Sequence, residues 1–208
     1  MDRYSIVQTV APFDEPITTA QAKTHLGVLH SNDDTYIGLL VTAARQACEA
    51  ETNRALIYSK WELRLDRFPV EEIIIPRPPL YSVDSIQYVD EDGTTQTWAA
   101  SKYQIDSKME PGRIKPAYDQ TWPVTRAQYN AVTVTYWAGY APVEVGSPTD
   151  FSGNVPEAFK QAIKLVLGNF YGNRESVVVG MGALVVELPQ SAKWLLYQYR
   201  AEDYRLSS

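Results

Sequence analysis

The fold is decided by two stretches of sequence, TTAQAKTHLGVLHSNDDTYIGLLVTAARQACEAETN at residues 18–53 and PEAFKQAIKLVLGNFY at residues 156–171. In both stretches the apolar residues recur at helical spacing, whereas residues 54–155 carry strand and turn patterns. Enzymes of the α/β class interleave the two element types, but this order separates them. The sequence therefore predicts an α+β fold, in which a helical core of two N-terminal and two C-terminal helices carries an inserted antiparallel β-module.

Capping residues and apolar stripes in the sequence indicate where the helices begin and end and which face of each is buried. Thr18 and Gln21 have the spacing of a capping box, and Gly27 is a stop signal, so the first helix should end near Leu26. The next helix has an apolar stripe made of Ile37, Leu40, Val41, Ala44, Ala47 and Cys48. The polar residues expected to face away from that stripe are Thr42, Arg45, Gln46 and Glu49. A third helix should start at Pro156, with the stripe Phe159, Ile163, Val166, Leu167 and Phe170, and a fourth at Pro189.

The remaining patterns divide the chain. Strands are indicated by the alternation of apolar and polar residues near Trp61, by the apolar run at Ile73 and by a hairpin around the turn at residues 90–93. Further strand patterns lie at residues 103–106, 113–115 and 131–137. The expected organisation is an extended N-terminal arm at 1–16, a helical core at 17–57 and 155–200, a β-module at 58–140, a linker at 141–154 and a C-terminal tail at 201–208.

Composition limits the classes of function. The chain has 19 basic and 25 acidic residues, a net charge of −6, and no segment that concentrates Lys and Arg, so tight nucleic-acid binding is not expected. It contains no apolar run long enough to span a membrane and no signal peptide, so we expect a soluble protein made in the cytoplasm. The single cysteine, Cys48, has no disulfide partner and is expected to be a buried small hydrophobe.

The sequence carries no catalytic constellation. His25 and His30 are five residues apart and have no Cys or carboxylate cluster at metal-site spacing, so no metal is expected. The glycines around Met181 do not complete a phosphate-binding pattern. The acidic run at residues 90–92 is interpreted as a solvated turn. We therefore expect no enzyme activity and no cofactor.

A family resemblance rests on four stretches in a fixed order. They are residues 17–26 with the capped helix after them, residues 61–69 leading to 75–80, residues 111–114 with 138–140, and residues 155–175. In these stretches the chain resembles the head-to-tail connector family of tailed bacteriophages, also called head-completion or adaptor proteins, which is shared with gene transfer agents. The resemblance covers most of residues 17–200.

The resemblance implies a structural virion protein. Such a protein forms a ring, usually of twelve copies, that lies in the neck between the portal and the tail after assembly from the host cytoplasm. The ring would bind the portal and a tail-side connector or stopper protein, and its helical core would surround a lumen through which DNA passes without specific binding. No cofactor and no membrane is implied.

Two groups of residues are predicted to make these contacts. Aromatic and guanidinium side chains near the C-terminus have the composition of binding hot spots. The predicted portal-binding residues are Tyr197, Tyr199, Arg200, Tyr204 and Arg205. Apolar runs joined by glycines at residues 177–186 favour contacts around a ring. The predicted subunit-interface residues are Arg174, Glu175, Val178, Met181, Val185 and Trp194.

Alternatives remain at this stage. Residues 173–188 could form a hairpin packed on their own subunit instead of contacting a neighbour. Trp61 and Trp137 are assigned to the core of the β-module, with an interface as the second interpretation. The rival function is a carbohydrate-binding module or an enzyme built on the β-rich segment, in which exposed Trp and Tyr side chains would stack on sugars.

Overall fold

The computed structural model describes residues 4–143, 150–173 and 188–201. Within them the chain has four α-helices and two antiparallel sheets, which confirms the α+β class. The chain divides into two compact units. The first, called the sheet unit, contains residues 4–13 and 53–141, and the second, called the helical unit, contains residues 14–52 and the described residues between 142 and 200.

The sheet unit is built on a five-stranded sheet. Its strands are β1 (Tyr4–Val10), β2 (Ser59–Leu65), β4 (Leu80–Val89), β5 (Thr95–Trp98) and β8 (Val132–Ala138), in the order β1-β2-β8-β4-β5. A three-stranded sheet consists of β3 (Ile73–Ile74), β6 (Tyr103–Asp106) and β7 (Arg113–Pro116), in the order β3-β7-β6. The hairpin predicted around residues 90–93 is confirmed as β4 and β5.

Both sheets contribute to one apolar core. Leu63, Val134 and Tyr136 of the five-stranded sheet and Ile73 and Ile114 of the three-stranded sheet are almost completely buried in it. In β8 the buried residues alternate with half-buried ones, which is the period-two pattern of a strand with one core face. The Tyr136 hydroxyl, at the centre of this core, donates a hydrogen bond to the Pro76 carbonyl oxygen at 3.1 Å.

The first strand was missed by sequence reasoning. Residues 1–16 were interpreted as an arm, but Tyr4–Val10 pairs along β2, from Tyr4 opposite Leu65 to Gln8 opposite Trp61. β1 lies at the edge of the sheet, and most of its side chains are exposed or only half-buried. The apolar alternation is therefore weak, because an edge strand buries little surface that would require it.

The helical unit contains α1 (Thr19–Leu26), α2 (Asp34–Thr52), α3 (Glu157–Gly172) and α4 (Gln190–Tyr197). The capping box is confirmed: the Gln21 amide donates to Thr18 Oγ1 at 3.2 Å, and the Thr18 amide donates to Gln21 Oε1 at 2.9 Å. Gly27 ends α1 with a φ of 69°, a left-handed conformation that favours glycine.

The predicted helix stripes form the core of the helical unit. α2 buries Ile37, Val41, Ala44 and Cys48, and α3 buries Phe159, Ala162, Ile163, Val166 and Leu167. Burial raises the pKa of the Cys48 thiol to about 12, in agreement with the prediction of a buried hydrophobe. One prediction for α2 is wrong: Arg45 does not face away but is only 4% exposed. Its burial is possible because Glu15 and Glu49 both pair with its guanidinium group.

Candidate interaction surfaces

The described part of the chain contains no metal-binding cluster. No group of three or more His, Cys, Asp or Glu side chains among the described residues is arranged to hold a metal ion. His25 and His30 are both exposed. None of the described helices is both long and apolar enough to cross a membrane. The candidate sites described below are surfaces that could contact other macromolecules.

The acidic turn between β4 and β5 has a structural role. Asp90 accepts hydrogen bonds from the Gln96 side-chain amide at 2.9 Å and from the Thr94 backbone amide at 2.8 Å. These hydrogen bonds, that from Gln96 first, lower the pKa of Asp90. The carboxylate thus stabilises the hairpin turn, as expected of an Asp at this position.

A groove lies beside α4. The helix follows Pro189 and buries Ala192 and Leu196, so the side chains on its other face point outward. Trp194 is 76% exposed and Tyr197 is 79% exposed, three residues apart on the same helix. With Arg200, Lys193, Gln190 and Glu51 they line a groove of about 430 Å³, here called the α4 groove. It combines two exposed aromatic rings with a guanidinium group, a composition typical of binding hot spots.

The α4 groove brings together residues that were predicted for two different contacts. Tyr197 and Arg200 were predicted to bind the portal, and Trp194 to lie at a subunit interface, yet all three line one groove. Tyr199 lies elsewhere, because its ring packs on Phe159 of α3 with the centroids 4.7 Å apart. Arg200 Nη2 lies 4.0 Å from Glu51 Oε1. The other predicted contact residues, Arg174, Glu175, Val178, Met181, Val185, Tyr204 and Arg205, lie outside the described residues.

A further surface, which sequence reasoning missed, lies on α2. Opposite its buried stripe, Thr35, Leu39, Gln46 and Ala50 are exposed and Ala43 is half-buried, and these five residues are here called the α2 outer face. Leu39 is 66% exposed. The signal in the sequence was the lack of any charged residue at these positions, since a solvent-facing helix surface normally carries charges.

The two tryptophans that were assigned to the core of the β-module, Trp61 and Trp137, lie on opposite faces of the sheet. Trp61 packs against the apolar core of the sheet unit, and its Nε1 donates to Ser59 Oγ at 3.0 Å. The assignment of Trp137 was wrong: Val134 and Tyr136 face the core, so Trp137, one residue later in β8, lies on the opposite face of the sheet. There it stacks on Tyr58, with the centroids 4.4 Å apart and the planes 4° apart. This stacking occupies one face of each ring and so disfavours their use as sugar platforms.

Comparison with known proteins shows likeness in fold. A scan against family models finds no match, and neither does a search of curated protein sequences. Solved structures do match. A chain in the neck of an empty GTA particle computed with C6 symmetry has a TM-score of 0.75 and 20% identity, over 95% of this chain and 96% of that chain. A chain in the virion of a native gene transfer agent (GTA) particle has a TM-score of 0.74 and 19% identity, over 95% of each chain.

A third match comes from the neck of a native GTA particle computed with C12 symmetry. Its TM-score is 0.64 at 19% identity, and the alignment covers 93% of this chain and 96% of that chain. In all three matches the alignment extends over both the sheet unit and the helical unit, because it covers at least 93% of this chain. The chain therefore has the same fold as a subunit found in these particles.

Proposed function

We propose that this chain is a structural subunit of the neck of a phage-like particle, where it forms a ring between the portal and the tail. The observation that carries the proposal is the fold likeness, over 95% of the chain, to a subunit of a GTA neck computed with C6 symmetry. The order of motifs that resembles head-to-tail connectors supports the same assignment. The partners would be further copies of the chain, the portal, and a tail-side connector or stopper protein.

The proposal also assigns different roles to the helical and the β-rich parts of the chain. Residues 17–57 and 155–200 would build the ring, of twelve copies by the family resemblance, and residues 58–140 would form the β-module of each subunit. The subunit would act without catalysis, as the likeness to virion neck chains suggests. It would assemble in the host cytoplasm and remain in the virion neck.

Charge supports the role of a DNA conduit. The chain has a net charge of −6, which a ring multiplies by its number of copies. A lumen that attracted phosphates would hold DNA through counterion release, whereas an acidic ring repels the duplex over roughly 8 Å at physiological salt. We therefore expect no measurable binding of duplex DNA at micromolar protein and near-physiological salt. Micromolar affinity with a steep salt dependence, measured by fluorescence anisotropy, would contradict the conduit.

The α4 groove is the surface that we propose for the portal. Portal contact needs anchors that are exposed before docking, and Trp194 and Tyr197 meet this condition. Because Trp194 lines the same groove as Tyr197 and Arg200, we assign all three to the portal contact. The assignment of Arg174, Glu175, Val178, Met181 and Val185 to the subunit interface stays a prediction.

Replacing Trp194 and Tyr197 together by alanine tests this surface. Both side chains are mostly exposed, so the double variant should keep the fold and its melting temperature within a few degrees. Attachment to purified portal should weaken by tenfold or more, about 1.4 kcal/mol, since aromatic anchors dominate such contacts. Surface plasmon resonance on immobilised portal measures the loss.

Tyr129→Ala is the matched control, because Tyr129 is an equally exposed aromatic residue, 85% accessible, in the sheet unit. It should bind portal like the wild type. Equal binding by the double variant and the wild type would remove the α4 groove from the portal contact. If the double variant and the control lost portal binding to the same extent, exposed aromatic residues in general, and not the α4 groove, would explain the loss.

Truncation after Tyr199 separates the C-terminal residues from the fold. Tyr199 would still pack on Phe159, and the Arg200–Glu51 contact that is removed is an exposed pair, worth at most about 1 kcal/mol. The melting temperature should therefore change little, while attachment to portal-bearing heads should be lost. Differential scanning calorimetry and co-sedimentation with heads provide the two readings. A truncated chain that fails to fold would make the segment structural.

A further inference from the structure

The four charged residues of α2 all have partners within the helical unit. Asp34 Oδ1 lies 2.6 Å from Lys23 Nζ, and Arg45 pairs with Glu15 at 2.8 Å and with Glu49 at 2.6 Å. Glu51 is 4.0 Å from Arg200. None of the four belongs to the α2 outer face, so this face carries no charged residue along the 19-residue helix.

Such a face is unusual on a helix that stays in contact with water. Helices at a solvated surface normally place charged and polar residues opposite their buried stripe. On α2 that position holds Leu39, which is 66% exposed, together with Ala43 and Ala50. Small residues let a neighbouring element approach the helix closely, and Leu39 offers an apolar anchor beside them. The composition is that of a surface which another protein covers.

A second copy of the chain is the partner that the fold likeness to subunits of necks computed with C6 and C12 symmetry supports, and the charges agree with it. Two copies of one chain each carry a net charge of −6 and therefore repel each other at long range, and a contact through uncharged surface adds nothing to that repulsion. Contact between copies is favoured where the surface is neutral, and the α2 outer face has no formal charge. An acidic or basic partner protein would instead be expected to meet charges of opposite sign.

We propose that the α2 outer face is the contact with a second copy of this chain. The inference rests on the proposed function, because it names the surface through which the ring closes. A ring contact joins two different surfaces, so the α2 outer face of one copy would meet another part of the next copy rather than its own equivalent. The α4 groove then stays available to the portal.

The experiment uses the full chain with Leu39→Glu and, separately, Leu39→Lys. Both new residues are good helix formers at an exposed position, so circular dichroism and the melting temperature should match the wild type. Native mass spectrometry and sedimentation velocity, on the free protein and on the protein bound to purified portal, measure ring formation. In both variants the protein concentration at half-assembly should rise at least about tenfold, because either charge would be buried without a partner.

Two control variants test whether added charge elsewhere, or another change in α2, impairs ring assembly. Gln161→Glu adds the same negative charge at an exposed position of α3, and Gly38→Ala changes α2 beside the outer face, where an added Cβ would have no atom within 4 Å. Both controls should assemble like the wild type. Loss of assembly in Gln161→Glu to the same extent as in Leu39→Glu would overturn the inference, since added charge alone would then explain the loss.

The remaining outcomes separate the inference from the proposed function. If both Leu39 variants form rings like the wild type, or if only Leu39→Glu is impaired, the α2 outer face is not the contact, while the neck assignment stands. If the variants form rings but lose the portal, the face belongs to the portal contact, and the inference is also wrong. If the wild type forms no ring, free or with portal, the proposed function itself fails.

Discussion

Tyr136→Ala is expected to lower the free energy of unfolding by about 3–5 kcal/mol. Tyr136 is completely buried in β8, in the core that the two sheets share. The substitution removes a large aromatic ring and leaves a cavity that the surrounding strands can fill only in part. It also removes the hydrogen bond to the Pro76 carbonyl oxygen. Urea denaturation followed by tryptophan fluorescence measures the change, because Trp61 and Trp98 pack at the same core.

Tyr136→Phe is the matched control. It keeps the ring and removes only the hydroxyl group, so it should cost about 0.5–1.5 kcal/mol, the usual contribution of one hydrogen bond. The difference between the two variants isolates the packing of the ring. Equal costs for the two variants would contradict the position of Tyr136 at the centre of the core.

Arg45→Met is expected to destabilise the helical unit by about 3 kcal/mol. The Arg45 guanidinium group is almost fully buried and binds the carboxylates of both Glu15 and Glu49. Burial by itself would lower the pKa of Arg45, but the two carboxylates, Glu49 first, outweigh this effect and raise the pKa. Methionine fills a similar volume but leaves two neighbouring carboxylates without their cation. We place the cost at the lower end of the usual range because Glu15 is 27% exposed.

The control for this substitution is Arg64→Met in β2. Arg64 also pairs with a carboxylate, that of Glu62 at 2.7 Å, but its side chain is 41% exposed. An exposed ion pair contributes at most about 1 kcal/mol, so this variant should unfold almost like the wild type. Thermal unfolding of both variants gives the comparison. A cost for Arg45→Met as small as that for Arg64→Met would mean that the buried pair contributes no more than a surface pair.

Local signals in the sequence predicted most helix and strand positions. The capping box at Thr18 and the stop at Gly27 fix both ends of α1, because each satisfies backbone groups through neighbouring residues. The hairpin of β4 and β5 was equally predictable, since its turn residues are contiguous in sequence. These features depend on interactions between residues that lie close together along the chain.

Features that depend on distant residues were not predictable. Arg45 was expected to face water, and its burial depends on Glu15, thirty residues earlier in the chain. Trp137 was placed in the core because it is large and apolar, but the register of β8 assigns the core to Val134 and Tyr136. A shift of one residue along a strand moves a side chain to the other face of the sheet, and composition does not determine that shift.

The candidate contact surfaces were predicted in part. The aromatic and basic residues near the C-terminus were recognised from their types, and the structure brings Tyr197 and Arg200 together in the α4 groove. That Trp194 belongs to the same groove followed only from the exposure of α4. The α2 outer face was not predicted, because the sequence does not show whether uncharged helix positions are exposed or covered by another part of the chain.

The mass of the purified protein, measured by native mass spectrometry alone and with portal, tests the central claim most directly. The account predicts a closed ring, of twelve copies by the family resemblance, either in the free protein or once portal is present. It also predicts a stable complex between that ring and the portal. A protein that stays monomeric in both measurements and binds no portal would contradict the assignment to the neck.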